Sequence, residues 1–182
     1  MTASTEGVRD LAARAAGFIH DVPDYPTPGV VFRDITPLLA DGPMFGEVVA
    51  HMVEDARAHG VDLVVGMEAR GFILGAPIAV ALGAGFIPVR KEGKLPRAVL
   101  SGSYTLEYGS ATLEVHPDTI AEGARILVVD DVLATGGTAR ATVELLERAG
   151  GTVVSLGFLM ELSYLNGRSL LEGRDLDVLL TY

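Results

Sequence analysis

The chain has 182 residues, 49% of them hydrophobic and 21% charged, and a formal net charge of −10. That length and balance predict one soluble domain with a real core, and the acidic charge argues against a nucleic-acid partner, which needs a basic face. Cysteine is absent, which removes disulfides, thiol nucleophiles and thiolate metal sites; His20, His51, His59 and His116 show no ligand spacing and read as surface residues.

Met1–Gly7 has no basic stretch followed by an apolar core, so no signal peptide is read and a cytoplasmic protein is expected. Val8–Ala16 reads as a short amphipathic helix with Leu11 and Ala15 on one side. Asp21–Gly29 holds Pro23, Pro26 and Pro28, which suits an ordered connector rather than a helix or a central strand. Val30–Ile35 follows and runs into a turn at Thr36–Pro37; on pattern alone Val31–Arg33 is an edge strand. Asp41–Ala58 carries a helical stripe, Phe45, Val48, Val49, Met52, Val53 and Ala56, and Gly60 closes it. Leu63–Val65 reads as a buried strand.

Gly66–Phe72 is a tight loop into the next helix. Arg70 there opposes the helix dipole, which makes sense if an anion lies beside it. Gly71–Val89 is uncharged and nearly long enough to span a bilayer, but Gly75, Pro77, Gly83, Gly85 and Pro88 divide it into a helix and the strand Phe86–Val89. A buried α/β segment is therefore expected, and no membrane. Arg90, Lys91, Lys94 and Arg97 then cluster against Glu92 alone, a loop suited to phosphate capture. Ser103–Glu107 and Ala111–Val115 alternate about Gly109–Ser110 and predict a hairpin.

Arg125–Ala139 organises the chain. Ile126–Val129 is short, apolar and β-branched, as in a buried parallel strand. Asp130 and Asp131 follow, then the small-residue loop Ala134–Thr138, then a helix over Thr138–Ala149. Gly136 and Gly137 permit unusual backbone angles and close approach, Thr135 and Thr138 add hydroxyls, and the helix adds N–H groups and its positive dipole end. The loop is thus an anion site, most naturally for phosphate. The carboxylates would repel a phosphate but accept the hydroxyls of a sugar diol. Phosphate and diol together describe a ribose 5-phosphate. Beyond it, Val153–Met160 and Val178–Leu180 read as strands and Glu161–Arg168 as a loop.

The string Val128–Asp131 plus Ala134–Thr138 resembles the phosphoribosyl-diphosphate (PRPP) signature of type I phosphoribosyltransferases. No Gly-Lys-Ser/Thr follows the glycines, so it is not a Walker A loop, nor does it match the G-x-G-x-x-G dinucleotide pattern. Three further stretches fit the same family in order. Pro26–Asp34 resembles the base-binding element of its adenine-using members; Arg90–Pro96 matches its Arg-Lys-x-Gly-Lys-Leu-Pro element; Ser103–Gly109 is similar to its flexible catalytic loop.

The resemblance runs from about Asp21 to Glu161. It implies an α/β fold in a single domain over residues 1–182: about five mostly parallel strands flanked by helices, a small N-terminal hood over about 1–35, and a flap over about 95–116. It also implies transfer of phosphoribosyl from PRPP to adenine, giving AMP and pyrophosphate, a purine salvage step. Phe32 would stack on the base, with Val31 and Arg33 beside it. Arg70, Arg90, Lys91 and Lys94 would meet the pyrophosphate. Ala134, Thr135, Gly136, Gly137 and Thr138 would hold the 5-phosphate, and Asp130 and Asp131 the ribose hydroxyls. Glu107 would move the purine proton, with Tyr108 nearby. Mg2+ would be held mainly by PRPP and water, without direct protein ligands, and a homodimer is expected. Transfer to hypoxanthine, guanine or xanthine is the nearer alternative. A non-catalytic PRPP-binding regulator is the more distant one, for which the chain lacks spare length and basic charge.

Overall fold

The computed structural model describes residues 5–105 and 110–182. The chain forms two compact units, one ending at Glu54 and the other running from Asp55 to Tyr182.

In the first unit, α1 (Thr5–Ala16) buries Leu11 and Ala15, one helical turn apart. Its Arg14 donates to Asp10 and, through both terminal nitrogens, to Glu47 of α3 (Gly42–Arg57). β1 (His20–Pro23) and β2 (Val31–Asp34) form an antiparallel ribbon. The expected connector therefore begins as a strand. Proline is tolerated because Pro23 ends a strand whose only partner in its sheet is β2. The expected turn at Thr36–Pro37 is instead the start of a short helix, α2 (Thr36–Ala40), with proline at a permitted first-turn position. Asp41 then accepts from the Met44 N–H at 2.9 Å and caps α3.

The second unit is a seven-stranded sheet ordered β5-β6-β4-β3-β7-β8-β9. Its strands are β3 (Leu63–Met67), β4 (Gly85–Lys91), β5 (Leu100–Thr105), β6 (Ser110–Val115), β7 (Arg125–Leu133), β8 (Thr152–Glu161) and β9 (Leu176–Thr181). The expected parallel core is β4, β3, β7, β8 and β9; the hairpin β5–β6 extends it antiparallel through β4. Crossovers carry β3 through α4 (Arg70–Leu82) to β4 and β7 through α5 (Gly137–Arg148) to β8, and parallel units of this kind follow the right-handed rule. The two crossovers leave in opposite directions, so the helices cover opposite faces.

Side-chain alternation agrees. Gly66 and Gly75 let α4 press onto Phe86, leaving no room for a Cβ. Val65, Met67, Ile87, Val89, Ile126 and Val128 share the other core with Leu145 and Leu146 of α5. α4 spans 13 residues around Pro77, and no helix among the described residues is long and apolar enough to cross a membrane.

Candidate active site

β3 and β7 are neighbours whose chains diverge, which defines the switch point where open α/β sheets bind ligands. β7 is longer than its apolar run. The β3 ladder stops at Gly66 opposite Val129, while the β8 ladder continues through Asp130 opposite Phe158 to Leu133 opposite Glu161. Asp130 and Asp131 therefore lie within a strand, not after one, on a ledge that β3 has left. There the Asp131 N–H is taken up by Asp130 Oδ1 at 2.9 Å.

The ledge meets the start of α4. Arg70 Nε stands 2.7 Å from Asp131 Oδ2, and Asp131 is 2% exposed. The anion beside Arg70 is thus first of all a protein carboxylate. Gly71 has no room for a Cβ beside Val129 O and Asp130 Oδ1, so the helix start lies directly on the acids. Burial pushes the Asp130 carboxyl well above the ordinary carboxylate value, and the charge of Asp131 pushes it further. Burial raises Asp131 as well, against the pull of Arg70.

The loop Ala134–Thr138 continues from β7. Gly136 has φ +80° and stands at the N-terminal cap of α5. A Cβ there would collide with the Gly167 carbonyl, so this glycine serves a contact between two backbones as well as any ligand. The Tyr104 and Thr138 hydroxyls share a hydrogen bond at 3.1 Å, and a Cβ on Gly137 would lie in ordinary contact with the Tyr104 ring. A cavity of about 140 Å3 lies between Met67, Asp130, Ala134, Thr135 and Thr138.

The basic segment expected as a loop from Arg90 begins inside β4, which runs on through Arg90 and Lys91 because both pair with β6, and it is built on acids. Glu68 Oε2 accepts from Arg90 Nε at 3.1 Å and from the Lys91 N–H at 3.0 Å. Burial works to raise the Glu68 carboxyl, but these two donors and their charges outweigh it and hold it below its ordinary value. Arg90 Nη1 reaches the Lys94 carbonyl at 3.0 Å, the Gly93 N–H reaches buried Glu114 at 3.0 Å, and Arg97 pairs with Asp118 at 2.7 Å. Lys91 and Lys94 are exposed. Among the described residues no group of three or more His, Asp and Glu side chains is placed so that it could hold a metal ion.

In the first unit, Val31, Phe32 and Arg33 lie on β2. Phe32 meets Tyr25 edge-on, ring centroids 5.2 Å apart, and Arg33 pairs with Asp21 across the ribbon. Glu107 and Tyr108 lie outside the described residues. The residues that sequence reasoning missed are Glu68, Tyr104, Glu114 and Gly167. Gly167 follows an asparagine, an ordinary turn signal, and nothing local marks its distant partner.

A family model described as a phosphoribosyl transferase domain matches residues 38–172. The chain belongs to the phosphoribosyl transferase family. Within it, the chain is 56% identical to the adenine phosphoribosyltransferase of Salinispora arenicola over 95% of this chain and 92% of that protein. It is 59% identical to that of Streptomyces coelicolor, over 90% and 92%. The crystal structure of adenine phosphoribosyltransferase from Thermoanaerobacter pseudethanolicus superposes with TM-score 0.91 at 45% identity, covering 94% of this chain and 99% of that one. The Saccharomyces cerevisiae enzyme, solved with adenine and an iminoaltritol bisphosphate, gives 0.88 at 36% identity, covering 94% and 99%.

Proposed function

We infer that this chain transfers the 5-phosphoribosyl group of PRPP to adenine, giving AMP and pyrophosphate. The observation that carries the reading is the β7–α5 crossover: paired carboxylates on a strand ledge, then a glycine loop at a helix N-terminus, at the switch point of the sheet. The family membership and the adenine-using relatives support it.

The residue roles form one mechanism. N–H groups and hydroxyls of Ala134, Thr135, Gly136, Gly137 and Thr138 take the 5-phosphate. Asp130 and Asp131 accept the ribose hydroxyls. Arg70, Lys91 and Lys94 neutralise the pyrophosphate, with Arg90 bracing their loop from Glu68. Adenine stacks on Phe32, flanked by Val31 and Arg33. Its N9 forms a bond to C1 of the ribose as the C1–O bond to pyrophosphate breaks, inverting that carbon. The purine proton leaves to a base, for which Glu107 is the candidate and Tyr108 its neighbour. Positive charge on the sugar ring is met by the nearby carboxylates. Mg2+, when bound, adds positive charge at the PRPP oxygens. It would be held mainly by PRPP and water, without direct protein ligands, which fits a cavity whose lining among the described residues brings Asp130 as its carboxylate. On the family resemblance we also infer a homodimer acting in the cytoplasm.

The deciding experiment is turnover with PRPP and Mg2+ against adenine, hypoxanthine, guanine and xanthine, detecting nucleotide and pyrophosphate. Adenine alone is expected to react. Turnover of another base would keep the PRPP roles and remove Val31, Phe32 and Arg33 as adenine readers. PRPP binding without turnover would leave a regulator.

A further inference from the structure

The 3-10 turn Gly167–Leu171 joins β8 to β9 and belongs to none of the sequence motifs. Its first residue forms the floor of the loop Ala134–Thr138. A Cβ on Gly167 would collide with the Ala134 carbonyl and stand 2.9 Å from Gly136 N; a Cβ on Gly136 would collide with Gly167 in return. The two backbones touch with no side chain between them. The height of the turn therefore sets where the loop can lie.

One ion pair fixes that height. Glu161, the last residue of β8, is 6% exposed and accepts from Arg168 on both oxygens, Nη2 donating to Oε2 at 2.7 Å and Nε to Oε1 at 3.3 Å. The same Glu161 is registered against Leu133 of β7, and the Leu162 N–H donates to the Leu133 carbonyl at 2.9 Å. Leu133 is the residue before the loop, and Arg168 the residue after Gly167. A two-toothed charged pair with one buried partner holds orientation as well as distance. The ring Leu133–Glu161–Arg168–Gly167 thus closes around Ala134–Gly136. The Ser169 N–H and hydroxyl both donate to the Asn166 carbonyl, at 3.2 Å and 2.7 Å, and stiffen the turn on its outer side.

We propose that Glu161 and Arg168 are positioning residues for the 5-phosphate: their pair sets Gly167 under the loop and so aims the N–H groups of Ala134–Thr138. This rests on reading that loop as the 5-phosphate site. A pair that merely stabilised the fold would change the amount of folded protein and leave the affinity of each folded molecule alone.

The test compares Arg168→Met, Arg168→Lys and the double variant Glu161→Gln/Arg168→Met, which leaves no buried carboxylate stranded. Thr135→Val reports on the loop itself. The readouts are kcat, KM for PRPP and adenine, and calorimetric affinity for two probes, ribose 5-phosphate and pyrophosphate. Both Met-bearing variants are expected to weaken ribose 5-phosphate and raise KM for PRPP about tenfold. Pyrophosphate affinity and KM for adenine should stay within about twofold, and Arg168→Lys should recover part of the loss. Unchanged ribose 5-phosphate affinity in both Met-bearing variants, with Thr135→Val weakened, overturns the positioning role alone. Equal weakening of every ligand overturns it too, since that is loss of structure. Unchanged affinity in Thr135→Val as well overturns the loop reading, and this proposal with it.

Discussion

Two segments of the second unit carry most of the residues assigned to anions, and they are made in opposite ways. Ala134–Thr138, after β7, is shaped by backbone: Gly136 in a left-handed conformation, pressed on Gly167, at the start of α5. The end of β4 and the loop after it are shaped by charge: Arg90 on Glu68, Gly93 on Glu114, Arg97 on Asp118. The difference teaches where each is fragile. A backbone cradle fails when any atom is added, because close-packed main chain cannot yield. A charge-braced loop fails when a brace is removed, and its exposed lysines can be changed without touching its shape.

The largest expected effect lies on the ledge that feeds the first loop. Asp130→Asn should lower kcat/KM by about 10²–10³-fold, the scale of losing one fixed group that answers developing charge. Near-normal turnover would remove Asp130 from the ribose role. The same variant should melt higher at neutral pH. The folded carboxyl titrates above its ordinary value, because burial and Asp131 disfavour its charge. Between the unfolded and folded values the native state keeps a proton that the unfolded state has lost. Stability therefore falls as pH rises through that window and stays low above it. In Asp130→Asn that fall should be absent, as a melting series from about pH 4 to about pH 8 would read.

Gly136→Ala comes next. It places a Cβ against Gly167 at φ +80° and should cost about 2 kcal/mol of stability, with KM for PRPP raised. Denaturant unfolding and steady-state kinetics check both halves. Unchanged stability would mean that the two backbones can part, which breaks the contrast between the loops.

Much of the first loop was legible because local pattern and global role coincide there. An apolar run, two acids and glycines before a helical stripe describe the β7–α5 crossover almost residue by residue. The parallel core was legible for the same reason. What could not be read was long-range. The extension of β7 through Asp130 and Asp131 depends on β8, and the use of Gly136 depends on Gly167. Arg70 suggested an anion, yet its partner Asp131 is brought by a different strand. In the first unit, the prolines argued correctly against a central strand but did not reveal that a two-stranded ribbon can end on one.

The braced loop supplies the next contrast. Lys94→Ala should raise KM for PRPP about fivefold while melting as the parent does, since Lys94 is exposed. Arg90→Ala should instead lower stability by about 1 kcal/mol, because Glu68 keeps only the Lys91 N–H and the Lys94 carbonyl loses its donor. If Arg90→Ala leaves stability intact and acts on KM alone, Arg90 belongs with the lysines as a ligand group.

The smallest expected effect joins the two constructions. Tyr104 is on β5, in the hairpin beyond the braced loop, yet its hydroxyl meets Thr138 in the first turn of α5. Tyr104→Phe keeps the ring beside Gly137 and deletes only that hydrogen bond, worth about 0.5–1.5 kcal/mol. The deletion frees the Thr138 hydroxyl to rotate. If that hydroxyl serves the 5-phosphate, KM for PRPP should rise by less than about tenfold, the ceiling that such an energy sets. Thr138→Val should raise it at least as much, and adding Tyr104→Phe to Thr138→Val should add nothing, because the bond is already gone. Full additivity would mean that Tyr104 acts on the site by another route. In that case the hairpin and the backbone cradle are independent, and the hydrogen bond between them is only packing.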